Sequence, residues 1–284
     1  MPEISIKAET LFRIGSFGVN NSMALSLVVM AFFIFLFLRY DHERKSGNRS
    51  HLFYLVNMVL RGLYDLFQSI VHEKIGVFFP LLSGFFIWIL VQNWTGLLPG
   101  VGSIMVQVPA SVVHGTQVHE TAEAVDEAPV QVIDEHGVTT EEVEQSAEPE
   151  KEEMLHIPLF RGNNADINAT LALAIISVFM IQVYGIQFLG LKTYISKFLN
   201  FKDPIYFVLG ILEIISEVSK VVSFAFRLFG NIFAGEVLLT IVAFLVPVLA
   251  SFPFVILEVF VGLVQALVFS MLTSVFLSLA VSHH

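Results

Sequence analysis

A single arginine stands inside a long apolar run. The stretch SFAFRLFGNIFAGE, residues 223 to 236, holds Arg227 with no acidic residue after it until Glu236. A lysine or arginine at a membrane-helix centre costs about 2.5–3.5 kcal/mol on insertion scales. Partners, water or a function must offset that cost. At about 100° per helical residue, Glu213, Ser216, Lys220, Ser223 and Asn231 fall within about 40° of Arg227, and Glu217 lies about 80° away. Glu236 comes half a turn round and about 13 Å further along the axis. Glu258 and Gln265 share one face of the final apolar segment. If the last two segments form an antiparallel hairpin, Glu258 matches Glu236 in depth and Gln265 lies about 10 Å deeper, near Arg227. Two polar routes then run to opposite faces, separated by a fixed positive charge. A packing hydrogen bond can explain one intramembrane carboxylate. Snorkelling can explain Lys220, nearer a helix end. Neither explains the whole set.

The elements that must hold these residues are membrane helices. The chain has 284 residues, of which 55% are hydrophobic and 14% charged, and its mean hydropathy is +0.76. Soluble domains carry about a quarter charged residues. The apolar runs reach the roughly 17–25 residues needed to cross a bilayer. The expected fold is an all-α integral membrane protein, with about five membrane helices and one interfacial amphipathic helix. Spans are expected at 22–40, 77–98, 166–190, 204–246 and 254–284. The N-terminal segment 1–21 lacks the pattern of a signal peptide. Within the loop 41–76, Asn57, Arg61, Asp65, Gln68 and His72 form one helical stripe, which suits a helix lying in the interface. Residues 204–246 contain no proline between Pro204 and Pro247. A helix of that length is about 60 Å long, twice the hydrocarbon thickness, and must tilt steeply, kink or run partly along the membrane. The turn 247–253 makes it one arm of a long hairpin.

The loop 99–165 contains an acidic insertion. Residues 114 to 153 hold 13 of the 25 acidic residues and one base, so the formal net charge of −10 belongs to this segment. It reads as a solvated, largely disordered loop, with PVQVIDEHGVTT as a possible short hairpin. Its neighbouring histidines, His114, His119, His136 and His156, have no metal-ligand spacing, and no metal or cofactor is expected. The chain has no cysteine, which excludes disulfides and thiol chemistry. Arg39, Arg44, Lys45, Arg49, Arg61, Lys74, Lys192, Lys197 and Lys202 gather on one side, including the basic loop 191–203. The positive-inside rule makes that side cytoplasmic. The N-terminus and the acidic loop are then outside and the C-terminus is cytoplasmic.

The segment SKVVSFAFRLFGNIFAGE resembles the signature of the F-type ATP synthase subunit a family. VQALVFSMLTSVFLSLA resembles that family's last helix, NNADINATLALA the opening of its fourth, and NWTGLLPG its Leu-Leu-Pro segment. Together these resemblances cover most of the chain outside the insertion. They imply a stator subunit with no catalysis of its own, beside the rotating c-ring and bound to the subunit b peripheral stalk. Arg227 would match the family's essential arginine, which faces each passing c-subunit carboxylate and blocks a leak between half-channels. Glu236, Glu258 and Gln265 would line the outer half-channel, with Asn231 one turn from the arginine. Glu213 would belong to the inner half-channel, with Glu217 and Ser223 on the same route. Asp166 and Asn168 would lie near the outer entrance. Protons are the expected ion, ahead of sodium. The expected location is a bacterial plasma membrane rather than an organelle. Two departures stand out. Some members carry a histidine where this chain has Glu236 or Glu258, and some carry an acid at Gly96. Two close carboxylates would repel and could pass a proton between them.

Other membrane functions fit less well. A voltage sensor needs several arginines at a regular spacing, and a nucleic-acid partner has no basic footprint here. An intramembrane protease needs a nucleophile set or a metal motif. The remaining alternative is a stand-alone ion-coupled transporter or channel, which usually shows an internal repeat; none is visible.

Overall fold

The structure is a computed structural model, and it describes residues 8–15, 17–47, 49–109, 112, 154–198, 204–245 and 251–281. Among the described residues, seven α-helices carry the architecture: α1 (Asn21–Ser46), α2 (His51–Val71), α3 (Ile75–Gly96), α4 (Ile167–Leu189), α5 (Leu191–Phe198), α6 (Pro204–Leu245) and α7 (Ser251–Val281). All but α2 and α5 are long and apolar enough to span a membrane.

Helix α1 runs past the span expected from hydropathy, through the charged sequence RYDHERKS. Ion pairs between Arg39 and Glu43 (3.1 Å) and between Asp41 and Lys45 (2.5 Å) explain it, because residues four apart meet on a helix surface. Glu43 also accepts from the backbone and hydroxyl of Ser50, tying α1 to the start of α2. The amphipathic reading of α2 holds. It buries Phe53, Leu63, Phe67 and Val71 and exposes Arg61, Asp65 and Gln68. Helix α7 begins before Pro253, which therefore sits in a first turn where its missing N–H costs nothing.

The core is packed by Phe67 of α2, Phe78, Leu82 and Ile89 of α3, Ile181 of α4, Phe224 and Leu228 of α6, and Phe269 and Leu277 of α7. Outward faces of α1 and α6 are apolar, including Phe35, Phe37, Ile215 and Val218. Such faces suit hydrocarbon surroundings. The register of α6 against α7 is antiparallel throughout. Asn231 meets Gln265, Phe224 lies 4.9 Å from Phe269 between ring centroids, and Lys220 sits over Phe276.

Two strand pairs were not anticipated. β1 (Thr10–Ile14) pairs antiparallel with β2 (Phe17–Asn20) and leads directly into α1. β3 (Met105–Pro109) pairs antiparallel with β4 (Met154–Pro158), in the register Met105↔Pro158 to Pro109↔Met154. This ladder joins the two ends of the acidic insertion. The insertion itself, including PVQVIDEHGVTT, lies outside the described residues. The strand pairs lie at the same end of the bundle as the C-terminus of α3 and the N-termini of α1 and α4. Asn21 Nδ2 donates to the Pro158 carbonyl, and Ser22 Oγ donates to Asp166 at 2.8 Å. This is the hairpin end of the bundle. The opposite end carries α5, which was expected only as a basic loop. Gly190 allows the sharp joint between α4 and α5, with φ 81° and ψ 146°, a conformation open essentially to glycine.

Candidate functional site

The polar residues fall into three groups along α6. At the hairpin end, Glu236 forms an ion pair with Arg161 at 3.4 Å; the arginine is buried and the glutamate is 41% exposed. Arg161 comes from the segment between β4 and α4. Arg161, which the sequence did not single out, thus sets a positive charge against Glu236. Glu258 is buried, and its carboxylate lies against Gly235. A Cβ on that glycine would meet Glu258 Cδ at 2.3 Å. The depth match between Glu236 and Glu258 thus holds.

Three amides that sequence reasoning missed sit at the same end. Asn93 Nδ2 donates to the Gly262 carbonyl at 3.1 Å, one turn from Glu258. Asn93 Oδ1 accepts from Asn164 Nδ2 at 2.6 Å. Gln92 is 1% exposed, and neither end of its amide has a partner among the described residues. Trp94 Nε1 donates to the Val259 carbonyl at 3.1 Å. Adjacent Gln92 and Asn93 within an apolar span are the signal in the sequence that points to them. Asp166 is buried and caps α4, accepting from the Asn168 backbone at 3.0 Å as well as from Ser22. Asn168 is exposed and also bonds Asp166 through its amide. In this structure the pair closes a helix N-terminus.

At mid-length, Arg227 Nη2 donates to Ser223 Oγ at 3.2 Å, one turn back on the same helix. Nη1 is buried and has no partner among the described residues. Gln265 was expected beside Arg227. Instead its Oε1 accepts from Asn231 Nδ2 at 2.8 Å, because the register of the hairpin sets it one turn further towards the hairpin end. Its own amide nitrogen is buried and has no partner among the described residues.

Towards the α5 end lie Glu213 and Glu217. Glu217 points to α4, where Gln182 Nε2 donates to it at 2.8 Å. The expectation that Lys220 snorkels is corrected. Lys220 Nζ bonds Glu217 at 2.6 Å and lies 4.8 Å from the centre of the Phe276 ring, so it is held inside the bundle. Gln182 accepts from the Tyr194 hydroxyl of α5. Neither Gln182 nor Tyr194 was anticipated, since nothing in the sequence shows that α5 folds back on α4. Deeper still, Ser177 and Thr273 share a hydrogen bond of 2.9 Å.

The three groups thus place carboxylates and amides at both ends of α6, with one guanidinium between them. Such a set can move protons by relay and can hold an anion at mid-depth, but it contains no nucleophile–base pair.

Comparison with known proteins points the same way. Residues 22–278 match the family described as ATP synthase A chain. The ATP synthase subunit a of Aeromonas salmonicida is 28% identical over 279 residues, covering 95% of this chain and 90% of that protein. The ATP synthase subunit a 2 of a Bradyrhizobium species is 26% identical, covering 99% and 97%. The subunit a of Moorella thermoacetica is 36% identical over 128 residues, a match that covers 45% of this chain and 57% of that protein. The family match spans nearly all of the helical bundle, including every residue from Asn93 to Gln265 discussed above, and the chain belongs to the ATP synthase A chain family as a non-catalytic membrane subunit.

Proposed function

We propose that the chain is the stator subunit of a rotary F-type ATP synthase, with two offset half-channels that meet at Arg227. The outer one runs from the hairpin end past Asp166, Asn168, Glu236, Glu258 and Gln265 to Asn231. The inner one runs from the α5 end past Glu213 and Glu217 to Ser223. Protons enter by one and leave by the other, carried between them on carboxylates of the adjacent c-ring. The subunit b stalk holds the chain still while the ring turns. The hairpin end faces outward, the α5 end faces the cytoplasm, and the membrane is a bacterial plasma membrane.

The observation that carries this reading is the state of Arg227. It is a mid-helix cation with no carboxylate partner among the described residues, held only by Ser223. A guanidinium so placed favours the ionised form of an anion arriving from outside the chain, and so draws a proton off it. It also repels a proton that would cross directly between the half-channels. Buried polar atoms on Gln92, Asn164, Glu236 and Gln265 that have no partner among the described residues support a watered outer route, since such atoms are normally satisfied by water or protein.

The test is ATP-driven proton pumping by the whole complex in inverted membrane vesicles. Arg227→Ala should abolish it. Arg227→Lys should fail too, since an ammonium offers a point charge and not a planar fork. Normal pumping by Arg227→Ala would remove the proposal.

A further inference from the structure

Helix α5 is seated between α4 and α6 by two glycines. A Cβ on Gly185 would come within 2.5 Å of the Tyr194 ring, and one on Gly210 would collide with the Phe198 carbonyl. This close approach brings the buried Tyr194 hydroxyl to Gln182. We propose that Tyr194 is a positioning residue of the inner half-channel: through the Gln182 amide it fixes Glu217 as a second carboxylate on the way to Arg227. The proposal rests on the two-channel reading given above.

The chemistry of the chain of bonds supports it. An ionised carboxylate only accepts, so the Gln182 NH2 group must face Glu217 and its carbonyl must face Tyr194. A donor at Tyr194 completes that orientation, and a phenylalanine ring would leave the buried carbonyl free to turn. Burial first, then the charges of Glu217 and Glu213, push the Tyr194 hydroxyl up to about 12. It therefore stays a donor at working pH. Lys220 holds the other carboxylate oxygen, so Glu217 is gripped from α4 and from its own helix. Glu213 and Glu217 are one turn apart on α6, about 6 Å in rise. They are successive stops on one route. The groups that face Glu217 are Glu213 and Lys220 from α6, Tyr194 from α5, and the non-titrating Gln182 of α4; Phe276 of α7 covers Lys220.

The experiment compares Tyr194→Phe, Glu217→Gln and the double variant in inverted vesicles of equal complex content. ATP-driven pumping is read while pH is varied separately on the two sides. Losing one positioning hydrogen bond should slow pumping about five-fold in Tyr194→Phe. Gln182→Met breaks the same chain from α4 at similar volume and should match it. The double variant should be no slower than Glu217→Gln alone. Tyr194→Phe should displace the pH dependence on the α5 side and leave that on the hairpin side in place. A Tyr194→Phe variant that pumps at the parental rate, or effects of Tyr194→Phe and Glu217→Gln that multiply, would overturn the proposal and leave the two-channel reading intact. Full pumping by Glu217→Gln alongside a silent Arg227→Ala would do the same. Pumping by Arg227→Ala would instead bring down the reading on which the proposal rests.

Discussion

Gly235→Ala tests how tightly the outer carboxylates are placed. A Cβ at residue 235 would lie 2.3 Å from both Cδ and Oε2 of Glu258 and 2.4 Å from Oε1, whereas ordinary contacts begin near 3.4 Å. The carboxylate is the free end of a flexible side chain, so it retreats by about 1 Å while the close-packed helices stay in place. Alanine favours a helix over glycine by about 1 kcal/mol, so α6 itself is not weakened. Misplacing a reacting group by about 1 Å costs on the order of 100-fold in rate. Water can follow the carboxylate part of the way, which sets the expected loss of proton flux at about 10- to 100-fold. The assay is vesicle acidification normalised to complex content, with thermal stability of the complex measured alongside. Glu258→Asp shortens the side chain by one methylene and makes room for the new methyl. In that background Gly235→Ala should therefore have little further effect. Parental flux in Gly235→Ala would refute the reasoning. So would an equal slowing in the aspartate background, since the damage would then not pass through the carboxylate.

Three other outcomes are expected. Arg161→Gln should lower the stability of the complex by about 1–2 kcal/mol in thermal unfolding. That is less than the 3–5 kcal/mol of a fully buried pair, because Glu236 keeps 41% of its side chain exposed; an unchanged melting temperature would show the pair to be incidental. Ser22→Ala should cost about 1–3 kcal/mol by stripping a partner from buried Asp166, with proton flux per assembled complex unchanged. Deleting residues 110–153 and joining Pro109 to Met154 through an Asn-Gly turn should preserve assembly and flux, because those two residues already pair across the ladder. Failure to assemble at every salt concentration would make the segment a docking element.

Much of the bundle was legible because hydrocarbon imposes one rule, that long apolar runs become helices. The matching depth of Glu236 and Glu258 followed from the helical rise alone, and Glu258 lies against Gly235. What stayed hidden was long-range. Arg161 meets Glu236 across a sequence gap that no helical period connects. The Gln265–Asn231 bond differs from the expected Arg227 neighbour by a single turn, which is the error of counting from an unknown turn between the helices. The strand pairs escaped because their pairing is set by geometry at the bundle end, and short strands of mixed polarity give little periodic signal.

The bond from Trp94 to the Val259 carbonyl has a spectroscopic consequence. The chain holds two tryptophans, and the other, Trp88, packs 6.0 Å from the Phe33 ring. Replacing Trp88 with phenylalanine would leave this chain one indole, resting on the carbonyl next to Glu258. Indole emission moves to the red as its surroundings become wetter and its N–H finds mobile partners. The subunit would then carry an intrinsic optical gauge of hydration beside the outer carboxylates, with no dye attached and no polar residue of the route replaced.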